Sequence, residues 1–314
     1  MLKAKIIVNG QDTPIGINTR EVRLEIVTQG VAHIESVMYS VYAKEYPKTS
    51  VFDACSESCF VYIENGVLED CTAYRCVAEI HLHDGKMLTA CTHFETGLSD
   101  ENFSAEWIEN PILEDYVSEF EQEFEITEKI DKGRLYIVGL GFYQSELNGT
   151  RTDEDFYKPL LTDFDVRTGL NNVDYDEDGF KDGDKTICYD TCDITDMLKQ
   201  GKNRLSVLVG PGWYCNTDKT VTDPSYSFGT PKLVYEIHLY SKGKRRIITS
   251  GSDCKVRNTN LKSQLYNGDF VDFTARSTEY VSAKVCEAPK GRLLPSETSF
   301  DRIQEELVPR RTRQ

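Results

Sequence analysis

Apolar and polar residues alternate with a period of two along much of this chain. Val22-Arg-Leu-Glu-Ile26 and Cys76-Val-Ala-Glu-Ile-His-Leu82 place apolar side chains at every second position, and Met38-Tyr-Ser-Val-Tyr-Ala43 has the same character. Successive side chains of a strand point to opposite faces of a sheet, so this spacing predicts half-buried strands. Asp84-Gly85 supplies a turn after one of them, and helical spacing is nearly absent before residue 105. Several short strands with turn signals between them predict a fibronectin type III or immunoglobulin-like sandwich over residues 1–110. Asn110-Pro111 marks its end, because a residue before proline is held extended.

A second series of strands follows. Ser118-Glu-Phe-Glu-Gln-Glu-Phe-Glu-Ile126 puts Phe120, Phe124 and Ile126 on one face beside charged neighbours. Arg134 to Tyr143 reads as a buried strand interrupted by glycines, which mark a bulge or a close backbone approach. Glu146-Leu-Asn-Gly149 is a turn. Lys232–Tyr240 and Arg245–Thr249 form a hairpin across Lys242-Gly243, and the last strand lies near Val281–Val285. The one helical signal is Asp193-Ile-Thr-Asp-Met-Leu-Lys199, with Asp193 placed to cap it and Gly201 to end it. The fold class expected is all-β: a fibronectin-type sandwich, then a jelly-roll-like β-sandwich with one short helix over 111–290, then a linker or tail over 291–314.

The 314 residues suit two domains. Their 39% hydrophobic content is enough to build packed cores. The 52 acidic and 36 basic residues give a formal charge of −16, which argues against nucleic acid and anionic membranes as partners, since both require a basic face. No stretch approaches the roughly 20 apolar residues of a membrane span. The N-terminus lacks the apolar core of a signal peptide, so the expected location is cytoplasmic. The ten cysteines are then expected to be reduced thiols. Cys55 with Cys59, Cys71 with Cys76, and His81, His83 and His93 lack the spacing of a zinc site.

An ordered series of motifs resembles a known family. Gly133 to Tyr143, Leu147-Asn-Gly149, Pro159, Thr162-Asp163, Tyr189, Asp193 to Leu198 and Gly210-Pro-Gly-Trp-Tyr214 come in the order of the N-terminal β-sandwich module of bacterial α-L-rhamnosidases, the family 78 glycoside hydrolases. Tyr266 to Asp272 and Glu287 to Leu293 continue the match. Pro14 to Ile17, Phe94 to Leu98 and Ala105 to Ile108 resemble the fibronectin-type module that precedes it there. The resemblance implies a non-catalytic front portion, because in that family the hydrolytic carboxylates sit on a downstream (α/α)6 barrel. No catalytic residue is assigned in this chain. The partners implied are a catalytic domain, of the same or a neighbouring reading frame, and rhamnose-containing glycans. The alternatives are a complete glycoside hydrolase with an unrecognised site and a purely structural module.

Two candidate sites remain. Asp174, Asp176 and Asp178 alternate, with Gly179 and Asp182 following, as in the first nine positions of a calcium loop. Lys185 stands where such a loop has its bidentate glutamate, and the competing reading is a solvated acidic hairpin. No cofactor is required by the sequence and calcium is the one candidate; some modules of the resembled type bind L-rhamnose with the help of that ion. Trp213, Tyr214, Asn216, Tyr266, Asn267, Asp269 and Asp272 supply the aromatic platform and polar groups that a sugar site needs. The competing reading makes the two leading aromatics core residues.

Overall fold

In a computed structural model the protein is described at residues 3–30, 33–43, 49–112, 116–165, 185–215, 227–274, 276–298 and 301–308. These residues are nearly all strand and loop, joined into antiparallel sheets. Two compact units emerge. One comprises Met1–Phe103 with the short segments Cys188–Thr191 and Leu293–Glu297; the other comprises Ser104–Ile187, Cys192–Arg292 and Thr298–Gln314.

The first unit is a sandwich of two sheets. β1 (Lys3–Val8), β2 (Val22–Gln29) and, further along, β5 (Phe60–Ile63) form a three-stranded sheet in the order β1-β2-β5. β3 (Ile34–Ala43), β4 (Phe52–Ser56), β6 (Ala73–Leu82) and β7 (Met87–Glu95) form the other, in the order β4-β3-β6-β7. The alternation in the sequence decides which side chains meet. Val22, Leu24 and Ile26 pack with Val37, Tyr39, Val41, Cys76, Ala78 and Ile80 in one core. His81 and His93 point outward from the same strands. Tyr189, from one of the late segments, is buried in this unit; its hydroxyl donates to Leu98 O at 2.8 Å and accepts from Leu98 N at 2.6 Å.

The second unit is a larger sandwich. Its strands are β8 (Ile108–Glu109), β9 (Ser118–Ile126), β10 (Lys132–Leu140), β11 (Tyr143–Leu147), β12 (Thr150–Arg151), β14 (Gly201–Val209), β15 (Lys232–Ser241), β16 (Lys244–Thr249), β17 (Lys255–Asn258), β18 (Leu261–Gln264), β19 (Gly268–Val271), β20 (Val281–Ser282) and β21 (Lys284–Val285), with the ends of β13 (Thr186–Asp193) and the first residue of β22 (Arg292–Pro295), whose other residues belong to the late segments of the first unit. One sheet runs β21-β8-β15-β10-β13-β22 with β16 on β15, the other β12-β11-β14-β9-β17-β20, and β18-β19 is a separate hairpin. Leu135, Ile137, Tyr235, Ile237 and Leu239 of the first sheet meet Phe120, Phe124, Leu147, Leu205 and Val207 of the second in one core. The two expected hairpin turns form at Asn148-Gly149 and Lys242-Gly243, all four residues having positive φ, the geometry that matches strand twist across a tight turn.

The helix expected over Asp193–Lys199 shortens to one 3-10 turn, Thr195–Met197. Asp193 is the last residue of β13, and its Oδ1 accepts from Thr195 N at 3.0 Å and Thr195 Oγ1 at 2.6 Å. That side-chain turn competes with helical pairing, and β14 starts at Gly201, before a second turn can form. No helix among the described residues is long and apolar enough to cross a membrane.

Candidate functional site

Two glycine segments of the second unit cross in direct backbone contact. Gly141 links β10 to β11 at a φ of +113°, and a Cβ there would lie 1.8 Å from Gly210 O. Gly212 follows β14 at a φ of +52°, and a Cβ there would lie 2.3 Å from Phe142 N. Only glycine supplies both the left-handed backbone and the clearance. Gly210 N donates to Phe142 O at 2.7 Å and Cys215 N to Pro211 O at 3.0 Å, closing the crossing.

This crossing sets the rings beside it. Phe142 and Trp213 meet edge to face, with centroids 6.3 Å apart. Trp213 meets Tyr266 in the same manner at 6.4 Å, and Phe142 meets Tyr157 at 5.6 Å. Edge-to-face contact at these spacings is favourable between aromatic rings. A continuous row results, Tyr157-Phe142-Trp213-Tyr266, contributed by four separate stretches of chain. Its ends are open to solvent, Tyr157 at 66% and Tyr266 at 49% exposure, while Phe142 and Trp213 are half-buried.

Tyr214 has a different place. It is 1% exposed, stacks on Phe228 at 5.6 Å and meets Phe164 edge-on at 5.9 Å. Burial pushes its phenol well above the usual tyrosine range, with Asp165 adding to the effect. Tyr266 and Asn267 occupy the turn of the β18–β19 hairpin, and Asp269 follows on exposed β19, opposite Ser263. The Asp272 carboxylate accepts from Thr274 N at 2.8 Å and Thr274 Oγ1 at 2.6 Å, and its backbone N–H donates to Asn260 O at 2.9 Å. The structure thus joins Trp213 to Tyr266 and places Asn267 and Asp269 in the same hairpin as Tyr266. Tyr214 belongs to a core cluster and Asp272 to a local turn. Asn216 lies outside the described residues, as do Asp174, Asp176, Asp178 and Asp182. Lys185, at the twelfth position of that acidic pattern, pairs with Asp163 at 3.0 Å. Among the described residues no three His, Cys, Asp or Glu side chains are grouped to hold a metal ion. Cys55, Cys59, Cys76, Cys91, Cys188, Cys254 and Cys286 are free thiols.

Phe142 and Tyr157 were not among the residues singled out from the sequence. Phe142 sits in the motif Gly-Leu-Gly-Phe-Tyr, whose glycines signal a close approach; Tyr157 lies in a charged stretch with no such signal. Its backbone is left-handed, at a φ of +57°, which bulky residues rarely adopt. The next residue anchors it. Lys158 is buried; its Nζ donates to Asp153 Oδ2 at 2.6 Å and lies 4.7 Å from the Tyr143 ring centre, and its carbonyl accepts from Tyr143 N at 3.1 Å. Burial alone would raise the Asp153 pKa, but the Lys158 charge and hydrogen bond outweigh it and hold the carboxyl below its ordinary value.

Elsewhere in this unit Glu236 is fully buried on β15. Its Oε1 accepts from Ser104 Oγ at 2.9 Å and Ala105 N at 3.0 Å, and its Oε2 lies 2.6 Å from His238 Nε2. Every oxygen is engaged, so the pair reads as a clamp on the Ser104–Ala105 segment and offers no free carboxyl for chemistry.

Known proteins match this chain along nearly its whole length. An α-L-rhamnosidase of Formosa agariphila is 21% identical over 97% of this chain and 35% of the relative. One from Streptomyces avermitilis is 28% identical over 49% of this chain and 13% of the relative. The chain therefore spans about a third of these relatives or less. Among solved structures, the α-L-rhamnosidase from Dictyoglumus thermophilum superposes with a TM-score of 0.77 at 20% identity, over 97% of this chain and 36% of that one. The S. avermitilis α-L-rhamnosidase complexed with L-rhamnose superposes with a TM-score of 0.74 at 15% identity, over 93% and 46%. The family model for the α-L-rhamnosidase N-terminal domain matches residues 128–178 and 177–298, together more than half of the sequence. On that match the chain belongs to the α-L-rhamnosidase N-terminal domain family.

Proposed function

We propose that this chain is the accessory, carbohydrate-binding portion of an α-L-rhamnosidase, with the Trp213–Tyr266 corner taking L-rhamnose units of a glycan. The observation that carries the reading is the pair of half-buried Trp213 and exposed Tyr266, 6.4 Å apart at 82°, with Asn267 and Asp269 in the hairpin of Tyr266. A sugar needs an apolar platform for its ring face and polar groups for its hydroxyls, and L-rhamnose adds the apolar surface of its methyl group. One relative of known structure was solved in complex with L-rhamnose, which supports the choice of sugar. Calcium held by Asp174, Asp176, Asp178 and Asp182 is a separate part of the proposal.

Titration calorimetry of the 314-residue chain with L-rhamnose, with and without calcium, tests this. Measurable heat that disappears in Trp213→Ala supports the site; no heat at millimolar sugar overturns it. Hydrolysis belongs, on this reading, to another part of the protein, and robust turnover of an aryl α-L-rhamnoside by the purified chain would overturn that half.

A second reading is scaffolding of a catalytic barrel. It is favoured by the exposed apolar side chains of the same hairpin region, Phe270, Val271 and Phe273, the last at 90% exposure, since apolar surface of that kind marks interfaces. Association of this chain with a separately produced catalytic domain, lost in Phe273→Asp, would support it.

A further inference from the structure

We propose that the site is built for a run of linked sugars, with Tyr157 and Phe142 extending the Trp213–Tyr266 corner into a platform for an oligosaccharide of α-linked L-rhamnose units. The inference rests on the carbohydrate-binding reading and names the ligand class of that same site.

Extent is the first argument. Three ring-to-ring contacts of 5.6, 6.3 and 6.4 Å link four rings from Tyr157 to Tyr266, more aromatic surface than the face of one pyranose needs. A single sugar held at Trp213 and Tyr266 would leave Tyr157 without a role. Rings that serve the core are sealed from solvent, as Tyr214 is; here both ends of the row are open and the middle is half-covered. An exposed strip of connected rings, rather than an enclosed pocket, suits a ligand that is itself extended.

The second argument is the backbone of Tyr157. A left-handed conformation is strained for a residue with a Cβ, and such outliers persist only where surrounding structure enforces them. The enforcement is visible next door. Lys158 is buried and fixed by its ion pair with Asp153 and by Tyr143 N, and it follows Tyr157 directly. A large ring is held there, exposed, against Phe142. Strain maintained for the display of a side chain points to a ligand that meets it.

Titration calorimetry with L-rhamnose and with its α-linked di-, tri- and tetrasaccharides, on the 314-residue chain and on Tyr157→Gly, decides the matter. Glycine removes the ring while accepting the backbone geometry, so the melting temperature should stay unchanged. Expected is an affinity about tenfold higher for the tetrasaccharide than for the monosaccharide, with that gain abolished in Tyr157→Gly and the monosaccharide affinity untouched. Equal affinities for all lengths, lost together in Trp213→Ala, would overturn the extended platform and leave the single-sugar site standing. A gain with length that survives in Tyr157→Gly would overturn the role of Tyr157 and Phe142. Absence of binding by every sugar would overturn both readings.

Discussion

Trp213 and Tyr214 are consecutive residues that join two different aromatic groups: Trp213 meets Phe142 and Tyr266, while Tyr214 stacks on Phe228. Replacing either by alanine should therefore have separable effects. Tyr214→Ala opens a buried cluster and should cost about 3–5 kcal/mol, as large-to-small changes at buried aromatics do. Trp213→Ala should cost much less, yet abolish the heat of sugar binding. Urea unfolding of the two variants beside calorimetry checks both halves of the contrast.

The Lys158–Asp153 pair predicts a charge-dependent stability. Lys158→Met leaves the half-buried Asp153 carboxylate without its cation and should destabilise by about 1–3 kcal/mol, whereas Lys158→Met with Asp153→Asn should recover most of the loss. Folding lowers the Asp153 pKa beneath its ordinary 3.8. The stabilisation from this group is then complete well above 3.8 and lost as pH falls through the lower, folded value. Urea midpoints measured from pH 6 downward should show this acid loss in the native chain and a shallower one in the double variant.

At the glycine crossing, Gly212→Ala brings a Cβ to 2.3 Å from Phe142 N. Backbone cannot yield there as a flexible side chain would, so the segments must separate and the Phe142–Trp213 contact with them. Trp107 and Trp213 are the protein's two tryptophans, so a Trp107→Phe background isolates the signal of Trp213. In that background Gly212→Ala should shift the emission to longer wavelength and lower the melting temperature.

Calcium binding by the loop of Asp174, Asp176, Asp178 and Asp182 would stabilise the folded chain through mass action, by about 2.7 kcal/mol at a hundredfold excess over Kd. Thermal melts in calcium and in chelator measure it directly. A rise in calcium that is lost in Asp176→Asn supports the ion site, and coincident melts remove calcium from the account.

Much of the fold could be read from the chain before any coordinates. Strands such as β2, β6 and β9 alternate cleanly because one face of each is buried and the other wet, and Asn148-Gly149 and Lys242-Gly243 encode their hairpins locally. The platform was legible only in part. Trp213 and Tyr266 stood out as aromatics beside polar groups, but their meeting depends on a backbone crossing of residues about seventy apart in sequence, which no local pattern records. Tyr157 gave no signal, since its orientation follows from the ion pair of its neighbour. The helix at Asp193–Lys199 failed because the Asp193 side chain, read as a helix cap, instead holds a turn at the end of a strand.

The first unit takes in residues Cys188–Thr191 and Leu293–Glu297, and this has a consequence for its biogenesis. A ribosome delivers the chain from the N-terminus, and domains made of contiguous sequence can fold as they emerge. Here the Tyr189 hydroxyl that holds Leu98 arrives only after residues 104–187 of the second unit, and the Glu297 carboxylate that accepts from Asn18 N at 2.6 Å only after residues 192–292 as well. The leading sandwich must wait, incompletely closed, until its last pieces are translated. A gene cut after residue 110 would encode a module lacking part of its own interior.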